Sequence, residues 1–377
     1  MKYYRKEKDE IMEIAILSMQ RVINYGSVLQ AYSLKGIIED ITGEQVDFID
    51  PVLENTMAVD MPVRDSDDYE KKEQYGMWLP RNVKKALDKI NYKRLTKKII
   101  KFQENELGIS YSYDPHKKKY DLVIEGSDEV FKASDKIYLY MYGAINNANT
   151  LITYAAACGS ASIQGLSEKN RTILKSLMTK YKIISVRDLH TYNYVKNLYD
   201  GKVERHLDPV LVGDLYKRKH NPVKLKKYMI VYAYGNRIRD EKEIKAIKNY
   251  AKKNGLQTIA VGAPQFWCDK FLVASPLEAL DYFYYADYIV TDTFHGSIFS
   301  VINKRNFAVI LRKSNKNKLG GLLRDLDLED RIIDDMDNLP KILEKDIDYA
   351  KIDALLNKER VRTRAYLTEQ IESIECR

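Results

Sequence analysis

Short apolar runs, each closed by a cluster of Gly, Ser, Asp or Asn and followed by a helical pattern, recur along this chain. That alternation confines it to a parallel α/β fold. Glu13 to Ser18 reads as a buried strand, Asn24-Tyr25-Gly26-Ser27 as a turn, and Val28 to Asp40 as a helix. Gly43 then ends the unit before a second strand, Val46 to Ile49. Strand, turn, helix and strand make a βαβ unit, whose two strands must run parallel. The pattern resumes at Tyr120 to Ile124, ending in Glu125-Gly126-Ser127-Asp128, and at Thr150 to Ala156, ending in Cys158-Gly159-Ser160. A helix (Leu166 to Tyr181), a strand closed by Arg187 (Lys182 to Val186), a short helix (Tyr192 to Leu198) and Val203 to Leu207 before Asp208-Pro209 complete the first series.

A linker near Asp214 to Val223 separates a second series. Its strands are Tyr228 to Tyr234, Thr258 to Val261, Tyr288 to Thr291 and Phe307 to Leu311, with helices at Asp240 to Lys253, Pro276 to Tyr285 and Ser297 to Asn303. The expected fold is two Rossmann-like parallel-sheet domains, residues 1–215 and 216–377, with the last helix packing back on the first. Residues 55–112 are charged and read as a helical insertion without clear strands.

The chain has 377 residues with a hydrophobic share of 45%, enough for two real cores. It holds no apolar run of about 18 residues, the length that spans a bilayer. Met1 to Glu10 is charged and lacks the apolar region of a signal peptide, so a cytoplasmic protein is expected. Cys158, Cys268 and Cys376 are widely spaced, and neither they nor the five histidines show metal-ligand spacing. The formal net charge of +8 is mild for this length; it suits phosphate- or carboxylate-bearing substrates and does not indicate nucleic acid.

Ligands of such sheets bind beyond the carboxyl ends of the strands, so the polar clusters there are the candidate site residues. Asp292-Thr293-Phe294-His295-Gly296-Ser297 is the strongest. His295 falls near a helix N-terminus, where the dipole favours an anion, and can donate to phosphate or transfer a proton. Gly296 would let a ligand approach the backbone. Asp292 is either a base or a partner that orients His295. Arg187, at a strand's carboxyl end, matches a carboxylate or phosphate. Asn24, Tyr25, Gly26 and Ser27 open the first helix at a polar-ligand position, although a capped turn is the plain alternative. Ser127 and Asp128 follow a strand, with Asp128 a general base or a helix cap; Gly235 and Asn236 end another strand. The loop Arg312 to Lys318 carries four cations before Gly320-Gly321, and Lys318 is its candidate ligand contact.

These landmarks together resemble the polysaccharide pyruvyl transferase family. Asn24 to Tyr32, Asp121 to Asp128, Tyr154 to Ser160, Ile184 to Arg187, Leu207 to Pro209 and Ala286 to Gly296 are similar to the family's motifs, in the right order. Gly321-Leu322-Leu323 and Leu328 to Arg331 also fit. The resemblance implies a GT-B-like arrangement of the two domains. It implies transfer of pyruvate from phosphoenolpyruvate onto two sugar hydroxyls to form a cyclic ketal, with Arg187 and His295 at the donor. Characterised members often carry Arg-x-His-Gly where this chain has Thr293-Phe294-His295-Gly296.

On this reading His295 and Arg187 serve the donor, Asp128 or Asp292 is the base, and no metal or cofactor is required. The partner is a sugar acceptor, carried on lipid, nucleotide or polymer. Two rivals stand beside it: a glycosyltransferase using a nucleotide sugar, which the two-domain pattern fits equally, and a non-catalytic sugar-binding relative. Arg81 to Lys101 is rich in cations, with Val83, Leu87, Ile90, Leu95, Ile99 and Ile100 interspersed and Trp78 and Pro80 upstream. Such a basic amphipathic helix either lies on anionic lipid at the inner membrane face or packs its stripe on the first domain.

Overall fold

A computed structural model of the chain describes residues 12–50, 56–58, 81–109, 118–133, 136–235 and 237–375. The first half begins β1 (Ile14–Leu17), α1 (Tyr25–Thr42), β2 (Val46–Ile49), β3 (Thr56–Ala58) and α2 (Arg81–Leu107). It continues β4 (Tyr120–Asp128), β5 (Lys136–Tyr138), β6 (Ala148–Ala156), α3 (Glu168–Met178), β7 (Tyr181–Val186), α4 (Leu189–Lys196), β8 (Val203–Arg205) and α5 (Pro209–Val212). The second half runs β9 (Tyr228–Tyr232), α6 (Glu241–Lys253), β10 (Gln257–Val261), β11 (Lys270–Phe271), α7 (Pro276–Tyr285), β12 (Tyr288–Thr291), α8 (Phe294–Ile302) and β13 (Phe307–Val309). Helices α9 (Lys316–Asp325), α10 (Leu339–Glu344) and α11 (Tyr349–Glu375) follow.

The first sheet is ordered β2-β1-β4-β6-β7-β8 and the second β11-β10-β9-β12-β13, every pairing parallel. Both are Rossmann-like, and the expected fold class is the one adopted. Each order reverses direction once, between β1 and β4 in the first sheet and between β9 and β12 in the second. At such reversals the loops diverge to opposite faces and leave a crevice.

Alternation along the strands explains why both sheets are covered on both faces. Ile14 and Ile16 point into a core shared with α1, whereas Ala15 and Leu17 point into a separate core on the opposite face. In β9, Tyr228, Ile230 and Tyr232 join the shared core, while Met229 and Val231 face the outer core of the second half. The shared core draws on α1, α2, α7, α8 and α11, so the two halves meet through apolar packing. Helix α11 returns to the first sheet. Its Tyr366 hydroxyl donates to the Thr153 carbonyl at 2.9 Å, and Arg364 Nη1 lies 2.6 Å from Asp40 Oδ2.

Two local expectations need correction. The charged insertion contains a strand: β3 pairs antiparallel with β5, and three residues are too short for alternation to register. The cationic stretch Arg312 to Lys318 is not an open loop, because a 3-10 turn at Lys313–Asn315 leads into α9, where Lys316 and Lys318 lie. Gly320-Gly321 sits inside that helix. In α2, Leu95, Ile99 and Phe102 are buried, and Phe102 packs on Tyr32 of α1 at 5.5 Å between ring centroids. Leu87 and Ile90 stay exposed, as do Lys89, Lys93, Arg94 and Lys97. Trp78, Pro80 and the side chains of 81–85 lie outside the described residues. No helix of the described residues is long and apolar enough to cross a membrane.

Candidate active site

Helix α8 follows β12 after a two-residue turn. Thr293 is its N-cap, with Oγ1 accepting from the Gly296 N–H at 2.9 Å. The helix is enclosed on nearly all sides, packed between the sheet and α7. His295 is its one residue that is not buried. A histidine in the first turn of an otherwise enclosed helix can face only the gap between the halves.

That gap is a cleft of about 580 Å³ counting its open mouth. Asn24 and Tyr25 at the start of α1 line one side, with Tyr92 and Ile99 of α2. Tyr234 and Gly235 after β9, with Thr293 and His295, line the other. Both topological reversals thus open onto the same space.

The halves touch closely at His295. A Cβ on Gly26 would lie 2.1 Å from His295 Nδ1 and 2.3 Å from its Cγ, so only glycine lets α1 approach the ring. Asn24 caps α1 by accepting from the Gly26 N–H at 2.7 Å. Tyr25, buried, donates its hydroxyl to the Ala274 carbonyl at 2.7 Å and ties α1 to the second half.

His295 Nε2 meets Asp208 Oδ2 at 3.4 Å. The same carboxylate oxygen accepts from Arg187 Nη1 at 2.9 Å, while Oδ1 caps α5 through the Val210 N–H at 3.0 Å. Burial works against the charge on Asp208, yet His295, Arg187 and that N–H hold its pKa below the usual carboxylate range. Arg187 is buried too, and there Asp208 and Asp128 outweigh the burial penalty and raise its pKa. Its guanidinium lies 4.3 Å from the centroid of the Phe294 ring, a cation–π contact from first half to second.

Arg187 Nη2 reaches Asp128 Oδ1 at 4.0 Å. Asp128 Oδ2 accepts from Ser27 Oγ at 2.6 Å and Oδ1 from the Glu129 N–H at 2.9 Å. These bonds hold Asp128 at φ 80°, a backbone setting that costs a non-glycine residue about 1–3 kcal/mol. Glu129 in turn pairs with Lys318 Nζ at 2.5 Å, across the halves. The Lys318 charge, against burial, pulls Glu129 down to about 2. Ser27, Asp128, Arg187, Asp208 and His295 therefore form one chain of contacts, with Lys318 joined through Glu129.

Not every candidate joins that chain. Asp292 is buried and turned away from the imidazole: Arg237 Nε lies 3.2 Å from its Oδ2 and Arg312 Nε 3.6 Å. Burial, opposed by those two arginines, raises its pKa to about 6. Its place as an orienting partner of His295 is taken by Asp208. Gly296 does not admit a ligand, because Thr291 and Thr293 hydroxyls fill the space where its Cβ would stand, at 2.1 Å and 2.7 Å. Ser297 is buried, donating to the Thr293 carbonyl at 3.4 Å. Ser127 is buried and its carbonyl accepts from Ser18 Oγ at 2.9 Å. Gly235 is exposed at the cleft, and Asn236 lies outside the described residues.

Asp208 is the residue that sequence reasoning passed over as a mere landmark. The signal was present: Asp-Pro after a strand places a carboxylate N-cap before a proline at N1, again at a strand's carboxyl end. Tyr234, exposed at 45% on the cleft wall, was likewise not singled out.

The family model for polysaccharide pyruvyl transferase matches residues 24–314 of the chain. A search of curated proteins found no match. Among solved structures, an O-GlcNAc transferase mutant from Thermobaculum terrenum is 11% identical with a TM-score of 0.42, over 96% of this chain and 66% of that one. Sucrose-phosphate synthase from Thermosynechococcus elongatus is 14% identical over 97% of this chain and 98% of that one, TM-score 0.42. UDP-GlcNAc 2-epimerase from Methanocaldococcus jannaschii is 12% identical over 89% and 92%, TM-score 0.46.

Proposed function

This chain belongs to the polysaccharide pyruvyl transferase family, and on that footing we propose that it moves pyruvate from phosphoenolpyruvate onto two hydroxyls of a sugar, forming a cyclic ketal and releasing phosphate. Membership supports pyruvyl transfer in polysaccharide biosynthesis. The observation that carries the finer reading is the contact chain Asp128–Arg187–Asp208–His295, whose last member lines the interdomain cleft.

An enol phosphate becomes electrophilic when its methylene carbon takes a proton. His295 is the proposed donor of that proton. Asp208 Oδ2 lies 3.4 Å from Nε2 and is the proposed positioning partner of the ring. Carbon 2 then carries oxocarbenium character, and a sugar hydroxyl oxygen attacks it. Asp128 is the proposed acceptor of the hydroxyl proton; it sits where Ser27 and the Glu129 N–H fix its two oxygens. The carbon–oxygen bond to phosphate breaks, the second hydroxyl attacks the same carbon and its proton passes to the departing phosphate, closing the ketal ring; the proton held by Asp128 restores that given up by His295. The sum is one phosphoenolpyruvate and one diol to one ketal and one phosphate. Arg187 and Lys318 are the proposed holders of the donor's carboxylate and phosphate, exchanging part of their present pairing with Asp128 and Glu129 for donor oxygens. The acceptor is proposed to enter along Asn24 to Ser27.

Incubation of the protein with phosphoenolpyruvate and a bacterial surface glycan tests the reading. Expected are phosphate release and a new ketal methyl signal on the glycan by NMR, in equal amounts. Phosphate release with no ketal formed would reject the transfer.

A further inference from the structure

Two tyrosines that no step above uses stand on the walls of the His295 cleft, one from each half. Tyr92 lies on α2 and is 40% exposed; Tyr234 follows β9 and is 45% exposed. Five tyrosines are exposed among the described residues, and the other three have neighbours against their rings. Arg360 lies 3.6 Å over Tyr216, His220 stacks on Tyr284 at 4.1 Å, and Tyr285 meets Tyr284 edge to face at 5.0 Å. Tyr92 meets no other ring and no cation among the described residues. Tyr234 has one such neighbour, Arg237 at 5.4 Å, whose guanidinium is itself held by Asp292 and Ser314.

Both rings are carried by anchored backbone. Leu95 and Ile99, one turn and two turns beyond Tyr92 on α2, are buried, and Gln265 Nε2 donates to the Tyr234 carbonyl at 2.9 Å. A ring presented on a fixed backbone loses little freedom when a ligand settles on it. The rest of the cleft is uncharged: among its described lining residues there is no carboxylate, lysine or arginine. Arg187 and Lys318, the proposed holders of the donor's charges, are not part of that lining. His295 is, so it stands where the cleft meets the contact chain.

A charged ligand entering such a lining gives up water and gains no partner for its charge. A sugar ring has C–H groups on its faces and hydroxyls around its edge. An aromatic ring covers the former, and a tyrosine hydroxyl or the Asn24 amide can bond the latter. A nucleotide base would stack as well, but it brings phosphates that nothing in this lining pairs. We propose that the cleft is the acceptor subsite for an uncharged hexose, with Tyr92 and Tyr234 as its stacking platforms and specificity determinants. Calling that hexose the acceptor rests on the transfer reading above; the binding itself does not. Because α2 lies in the charged insertion, the insertion supplies one wall of the subsite.

Saturation-transfer difference NMR on the full chain, without phosphoenolpyruvate, tests it. The probes are the methyl pyranosides of glucose, galactose and mannose, and at least one binds saturably. Tyr92→Ala and Tyr234→Ala each weaken that binding about tenfold or more, whereas Tyr92→Phe, which keeps the ring, stays within about threefold. Tyr216→Ala, an exposed tyrosine outside the cleft, leaves it within about twofold. The methyl glycoside of glucuronic acid binds about tenfold more weakly or worse. Absence of saturable binding by all three hexosides overturns the proposal, as does equal binding of the glucuronide or binding that both alanine variants leave intact. Uridine binding that the alanine variants remove, with no hexoside bound, gives the rings to a base and overturns it too. Hexoside binding with no ketal formed in the transfer assay would reject the transfer and leave this sugar site standing.

Discussion

Gly26→Ala places one methyl group between the halves at the point where they are closest. The added carbon would stand 2.1 Å from His295 Nδ1, and ordinary contact begins at 3.4 Å, so the ring must retreat by about 1.3 Å, the difference. The backbone of Gly26 accepts alanine, because its φ is not among the positive ones. Misplacing a catalytic group by about 1 Å costs on the order of 10²-fold in rate, and kcat/KM should fall by that order. Stability should change far less, since overpacking costs about 1–3 kcal/mol and alanine returns up to about 1 kcal/mol of helix propensity. Gly36, ten residues along the same helix, has nothing within 4 Å of its would-be Cβ. Gly36→Ala should therefore keep full activity and gain about 0.5–1 kcal/mol. The assay is phosphate release from phosphoenolpyruvate with a glycan acceptor, run beside thermal denaturation. Wild-type kcat/KM in Gly26→Ala would refute the claim that this glycine sets the position of His295. A second check is the pair Gly26→Ala with His295→Ala, in which the clash is gone and the stability loss of the glycine variant should disappear.

His295→Ala should abolish turnover while leaving the denaturation midpoint near wild type, and retained activity would remove His295 from the mechanism. Asp208→Asn should lower kcat and weaken donor binding together, because the carboxylate serves both His295 and Arg187; a change in acceptor KM alone would contradict this. His206 contributes to stability in a definite pH window. Its folded pKa of about 4 lies below an unfolded value of about 6.5, so the unfolded chain binds more protons in between; the contribution is complete above about 6.5 and is lost as pH falls to about 4, by at most about 3 kcal/mol. Equal slopes of stability against pH for wild type and His206→Phe across that window would show that the buried ring is not its cause. Leu87 and Ile90, exposed among Lys89, Lys93, Arg94 and Lys97, should give salt-sensitive co-sedimentation with anionic vesicles and none with neutral ones; equal partitioning in both, or none in either, would end that idea.

The sheets were legible because each strand is an apolar run with a polar stop, and a stop at a carboxyl end also names the residues that face the cleft. Asn24 and His295, which line the cleft, were named this way. The same rule misled at Asp292, where the peptide direction at the end of β12 sends the carboxylate to Arg237 and Arg312. Which side a residue faces depends on tertiary contacts that no local pattern encodes. Gly296 was misread for a related reason: a glycine beside a capping threonine can serve packing as readily as ligand approach, and only the Thr291 hydroxyl at 2.1 Å decides. Asp208 was hidden because its partners are 21 and 87 positions away, joined only when α5 and α8 meet between the halves. The β3–β5 ribbon spans three residues per strand, below the length at which alternation separates from chance.

On this mechanism the His295 cleft takes phosphoenolpyruvate as its donor. Calorimetric titration of the full chain with phosphoenolpyruvate, for wild type and Arg187→Ala, and with UDP-sugars in parallel, decides it. One phosphoenolpyruvate should bind per chain, with an affinity at least about tenfold weaker in Arg187→Ala and no saturable binding of UDP-sugar. Tight one-to-one binding of a UDP-sugar, with phosphoenolpyruvate failing to bind, would contradict it and turn the reading to glycosyl transfer.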